Sequence, residues 1–204
     1  NMLSGDLLPS QGRIIFKDQN LTSKPAFTIS QLGIGRSYQK TNIFPGFTCL
    51  QNCWLGAQSK LPTSMKFFRP AKEYTEIHQR AEKALVLCGL GNQIDTIAST
   101  MSYGEQRQLE IGMMLATEPE LLLLDEPLGG MGTDESKKMI ELIERLAIDR
   151  SIILIEHDME AVFALADELT VMTNGKILAS GMPDEIRNSK VVQDAYLGTE
   201  KYDI

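Results

Sequence analysis

The chain has 204 residues, 43% of them hydrophobic, and a formal net charge of −7. That is enough for one good core, or one domain with a small subdomain, and the acidic balance without a long basic stripe argues against nucleic-acid binding. No apolar run reaches the roughly 18 residues a membrane-spanning helix needs, and no secretory pattern opens the chain.

Asn1 to Gly5 reads as the end of a helix with Gly5 as its left-handed stop. Pro9 and Gly12 then turn the chain into a strand at Arg13–Phe16. The first residue is Asn rather than Met, so a processed or truncated chain is expected. Residues 1–44 read as short strands and loops with little helical periodicity. In residues 45–105, Tyr74, Ile77, Ala81, Ala84, Leu85 and Cys88 recur at helical spacing and Gly89 stops the run, while Pro62 and Pro70 flank a loop-like entry. From 105 onward the pattern alternates: helix 105–117, strand 120–125, helix 133–148, strand 151–156, helix 159–166, strand 168–173. Thr133 is the expected N-cap of the second of these helices, with Asp134 and Glu135 favourable in its first turn. Asn174-Gly175 predicts a hairpin, and two short helices follow Pro183. Strands alternating with helices predict a mainly parallel sheet covered on both faces.

Several residues carry chemistry at these positions. Four leucines run into Asp125 and Glu126, which puts both acids at the carboxyl end of a buried strand, where open α/β sheets bind ligands. Asp125 suits magnesium on nucleotide phosphates, and Glu126 suits polarisation of an attacking water. A strand end followed by a polar Asp-Glu-Pro turn is the plain alternative. Ser102-Tyr103-Gly104-Glu105 fits a capping box, and the same helix N-terminus offers donors to a phosphate. Gln39 lies in a Gly-Arg-Ser-Tyr-Gln stretch, and His157 follows the apolar strand Ile152–Ile155. His78 sits among charged residues and reads as solvated. Cys49, Cys53 and Cys88 match neither a redox pair nor a four-ligand zinc pattern, and read as buried thiols in a reducing cytoplasm.

The order of these pieces resembles the ATP-binding subunit of an ABC transporter. Gln39 stands as the Q-loop, Met101–Arg107 as the signature, Leu121–Pro127 as Walker B, Leu128–Gly132 as the D-loop and His157 as the switch histidine. No G-x-x-x-x-G-K-[ST] phosphate loop occurs in the sequence. The resemblance implies a P-loop NTPase-like (RecA-like) α/β core with an inserted all-helical subdomain. Residues 1–44 would be the first part of the core, 45–105 the helical subdomain and 106–204 the rest of the core. It further implies ATP and Mg2+ as ligands, Glu126, His157 and Gln39 as catalytic residues, and Asp125 with Gln39 at the metal. Ser102, Tyr103, Gly104 and Glu105 would complete the nucleotide site of a second ATP-binding subunit in a homo- or heterodimer. Transmembrane permease subunits, and indirectly a solute-binding protein, would be the other partners. The setting would be cytoplasmic, peripheral on the inner face of the cell membrane. Phe44 and Phe47 would suit a groove for a partner's helix.

Met101, Tyr103 and Glu105 depart from the common Leu-Ser-Gly-Gly-Gln signature, and Gly132 stands where the D-loop of the resembled family usually has Asp or, in some branches, Asn. Glu105 brings a negative charge towards a polyphosphate, and Arg107 is the expected offset. Phe44–Thr48, Arg107–Ile111, Gly130-Met131 and Ala195–Gly198 resemble the branch importing branched-chain amino acids, with urea and short-amide relatives close by. Two other readings stand beside the transporter ATPase. One is a non-hydrolysing fragment or interaction module that only completes a partner's site. The other is a DNA-repair or translation ATPase; the first needs a long coiled-coil insert that the interval between Gln39 and Ser102 does not hold, and the second two ATPase halves and a basic linker that the sequence does not show. Without a phosphate loop, the sequence as it stands is expected to bind nucleotide feebly and not to turn over by itself.

Overall fold

The computed structural model describes residues 1–60 and 75–197. The expectations at Pro62, Pro70, Tyr74 and Gly198 lie outside the described residues. Two compact units are present, Asn1–Glu156 and His157–Ile204.

In the first unit, β1 (Ile15–Phe16) and β2 (Gln19–Asn20) form a short antiparallel pair. A helix that the sequence pattern did not reveal, α1 (Ala26–Gln31), follows Pro25. Its six residues bury only Ile29, so no helical period was there to be seen. The central sheet has three parallel strands in the order β3 (Ile34–Arg36), β4 (Leu121–Asp125) and β5 (Ser151–Ile155). Its register sets Ile34 beside Leu121 and Leu121 beside Ser151, so all three strands point the same way. This is the predicted α/β arrangement. The carboxyl edge of the sheet gathers the loops after Arg36, Asp125 and Ile155.

The crossover from β3 to β4 carries α2 (Cys49–Gln58), α3 (Thr75–Leu87) and α4 (Tyr103–Leu115). Thr48 and Gln51 cap α2 reciprocally, which fixes where the helix begins. The three helices pack on one another around Cys53, Ala57, Ala81, Leu85 and Leu109, each 1% exposed or less. Small residues let them approach. A Cβ at Gly112 would lie 2.8 Å from the Cys88 sulfur, and one at Gly56 would lie 2.2 Å from the Met113 carbonyl oxygen. The three cysteines are buried free thiols, as expected. Burial pushes Cys49 up to about 11 and Cys88 up to about 12, and pushes Cys53 upward as well. The amphipathic helix α5 (Thr133–Ala147) joins β4 to β5 and buries Met139, Leu142, Ile143 and Leu146. Its N-cap is Gly132 and not Thr133, with no side-chain cap; Thr133 is the first helical residue. His78 is not merely solvated: it lies 3.3 Å from Glu82 and edge-on to Trp54.

The second unit contains α6 (Met159–Leu165), the antiparallel hairpin of β6 (Leu169–Thr173) and β7 (Lys176–Gly181), and helices α7 (Pro183–Arg187) and α8 (Lys190–Leu197). Asn174 and Gly175 both take positive φ, 50° and 75°, as a two-residue hairpin turn requires. Among the described residues no helix is long and apolar enough to cross a membrane.

The close approach of α2 and α4 makes Gly56 a sensitive position. Gly56→Ala drives a methyl into a helix backbone and is expected to cost about 1–3 kcal/mol of stability, measured by urea unfolding. An unchanged midpoint would mean that the helices separate freely.

Candidate functional site

β4 ends by releasing its two acids in different directions. Glu126 has φ 46°, a left-handed conformation that L-residues adopt at a cost of about 1–3 kcal/mol. Three hydrogen bonds hold it there. Its N–H donates to the Ile155 carbonyl at 2.9 Å, and its own carbonyl accepts from Arg107 Nη2 at 2.8 Å and from the Gly129 N–H at 3.2 Å. The Glu126 carboxylate then accepts from Gln39 Nε2 at 3.2 Å. Asp125, one residue earlier, faces Arg36, with Nη2 and Oδ2 3.3 Å apart. Arg36 also bonds Asn1, Ser4 and Asp6, and its guanidinium lies 4.8 Å over the Tyr38 ring. Gln39, Asp125 and Glu126 thus share the carboxyl edge of the sheet. Glu156, after β5, joins them there by accepting the Leu128 N–H at 2.9 Å.

Beneath this edge lies an ion pair that the sequence analysis did not single out. Arg107 and Glu110, one turn apart on α4, are 3% and 5% exposed. Arg107 Nη1 donates to Glu110 Oε2 at 2.9 Å and to the Tyr38 carbonyl at 2.6 Å. Glu110 Oε1 accepts the Tyr38 N–H at 3.1 Å. Both polar groups of the Tyr38 backbone are therefore held by this pair, and the same arginine holds the Glu126 carbonyl. Burial raises the Glu110 pKa; the Tyr38 N–H and the Arg107 charge pull against it. Arg107 does not offset Glu105 as expected, because its guanidinium is directed into this buried junction. The available signal was an Arg and a Glu three residues apart on a helix that is otherwise apolar on that side.

The signature residues form a second group at the start of α4. Ser102 is its N-cap and forms the predicted capping box: the Glu105 N–H donates to Ser102 Oγ at 3.3 Å, and the Ser102 N–H donates to Glu105 Oε2 at 2.9 Å. Gln93 holds the other Glu105 oxygen at 2.7 Å. These bonds, that of Gln93 foremost, lower the Glu105 pKa, and Lys138 adds to them. Ser102 Oγ also donates to Glu135 Oε1 at 2.9 Å, and the Gly104 N–H reaches the same oxygen at 3.2 Å. Tyr103 is 43% exposed. A cleft of about 410 Å³ is lined by Ser102, Gly104, Glu105, Glu135 and Lys138 among others. His157 opens the second unit, directly before Asp158, whose carboxylate caps α6 through the N–H groups of Glu160 and Ala161.

Solved structures of the same architecture are ATP-binding cassettes, the class to which this fold and sheet edge belong. One, an ABC transporter cassette in its ADP conformation, matches with a TM-score of 0.83 and 27% identity, covering 97% of this chain and 81% of that one. A nucleotide-free cassette matches with a TM-score of 0.82 and 28% identity over 96% of this chain and 81% of that one. The high-affinity branched-chain amino acid transport ATP-binding protein LivG of Escherichia coli K12 is 36% identical over 97% of this chain and 80% of its own length. A probable LivG of Archaeoglobus fulgidus is 30% identical over 100% and 80%. The ABC transporter family profile matches residues 1–129, and that of branched-chain amino acid ATP-binding cassette transporters matches 176–202. The chain belongs to the ABC transporter family, as one of its nucleotide-binding cassettes.

Removing one member of a buried pair leaves the other charge uncompensated. Arg107→Met is expected to cost about 3–5 kcal/mol in urea unfolding, and Arg107→Met with Glu110→Leu to recover most of it. A double variant no more stable than the single would show that the pair is not what the site rests on.

Proposed function

We propose that this chain is the ATP-binding and ATP-hydrolysing subunit of an importer for branched-chain amino acids. The observation that carries the reading is the convergence of Gln39, Asp125 and Glu126 on one sheet edge, in a chain 36% identical to a branched-chain amino acid transport ATP-binding protein. In this reading Glu126 takes a proton from the attacking water, and its fixed left-handed backbone aims the carboxylate away from Asp125. Gln39 is hydrogen-bonded to that carboxylate and orients it. His157 contributes a hydrogen bond to the γ-phosphate.

Asp125 and Gln39 offer oxygen donors that suit Mg2+, which takes one or two protein ligands and completes its shell with phosphate and water. Once bound, the ion would neutralise charge developing on the phosphates.

Ser102, Tyr103, Gly104 and Glu105 serve the nucleotide of a second cassette, and ATP-driven closure of the two moves the membrane partners. Phe44 and Phe47, 48% and 41% exposed with rings 5.4 Å apart, support a docking surface for a permease helix. The working location would be the cytoplasmic face of the membrane. The working division is 1–44 and 106–204 as catalytic core, with 45–105 as a helical subdomain.

Glu126→Gln in the complete subunit should lower ATP turnover by about 10²–10⁴ while leaving nucleotide binding intact. A near-normal rate in a phosphate-release assay would remove Glu126 from the role of base.

A further inference from the structure

The donors that would grip a nucleotide at the signature already hold an anion. We infer that the Glu135 carboxylate is a built-in stand-in for the terminal phosphate of a nucleotide on a second cassette, and that this phosphate displaces it from Ser102 and Gly104 as the two cassettes close. The inference rests on the proposed function, and it adds an inhibitory contact within the chain that closure has to break.

Three features of the site support the exchange. Glu135 Oε1 alone accepts from both the Ser102 hydroxyl, at 2.9 Å, and the Gly104 N–H, at 3.2 Å, at the positive end of the 13-residue helix α4. A phosphate oxygen needs that same pair of donors, and two anions cannot share them. The approach is tight: a Cβ on Gly104 would lie 2.7 Å from Glu135 Cδ, so glycine is what lets the carboxylate in. The Ser102 hydroxyl first, then the Gly104 and Gly132 N–H groups, lower the Glu135 pKa, so the carboxylate stays ionised.

Departure is also provided for. Glu135 is half-buried at the N-terminus of α5, on the rim of the cleft. Lys138, one turn further along α5, lines the same cleft and gives the released carboxylate a partner at i,i+3. Glu105 does not compete for the phosphate's place, because Gln93 and the Ser102 N–H hold both its oxygens.

The test is ATP-dependent dimerisation of the complete subunit, followed by size exclusion, in a Glu126→Gln background that blocks turnover. Adding Glu135→Gln, which keeps the shape and removes the charge, should produce dimer at about tenfold lower ATP, and Glu135→Ala should do likewise. Asp134→Asn removes a charge from the same helical turn, while the bonds to Ser102 and Gly104 are made by Glu135. It should leave the ATP requirement unchanged. An unchanged or higher ATP requirement with Glu135→Gln overturns the inference, as does an equal shift with Asp134→Asn. If the Glu126→Gln subunit alone fails to dimerise with ATP, the functional reading itself fails and takes this inference with it.

Discussion

The buried pair of Arg107 and Glu110 is the constraint on which the rest of the site depends. Two charges taken out of water are tolerated only when hydrogen bonds surround them closely. Here those bonds come from backbone that has to be fixed anyway: the N–H and carbonyl of Tyr38 and the carbonyl of Glu126. The consequence is mechanical. The loop that carries Gln39 and the turn that carries Glu126 are fastened to one helix, and the first residues of that helix form the signature group. A displacement of α4 therefore reaches the sheet edge through two turns of helix and three hydrogen bonds.

The sheet edge has a second device of its own. Glu126 occupies a backbone conformation that L-residues avoid, and the Ile155, Arg107 and Gly129 bonds hold it there. Without them the two acids at the end of β4 would follow the pleat. With them, Asp125 meets Arg36 while Glu126 meets Gln39. Arg36 bonds the N-terminal turn as well as Asp125, so the residues before β1 are tied to the same edge.

Much of this was legible in the residues themselves. Four leucines before two acids defined a buried strand with the acids at its carboxyl end, and the serine and glutamate of the capping box defined the start of α4. Asn174-Gly175 defined the hairpin. Each of these depends on neighbours within a few positions. The failures share the opposite character. Helix α1 is too short to display a period. Gly132 displaced Thr133 as N-cap, and propensity alone does not separate adjacent positions. Arg107 was matched to Glu105, two residues away and on another side of the helix, when its partners lie at Glu110, Tyr38 and Glu126.

The order of motifs, the alternation of strands and helices and the family itself were thus determined by the sequence alone, because each rests on local spacing. Tertiary structure decided which charge meets which donor. Glu135 reaches Ser102 across 33 positions, and Arg107 reaches Tyr38 across 69. No period or motif encodes such contacts. They exist because helices and strands pack at fixed separations, and in that packing a buried or half-buried charge goes to whichever polar group the backbone brings within about 3 Å.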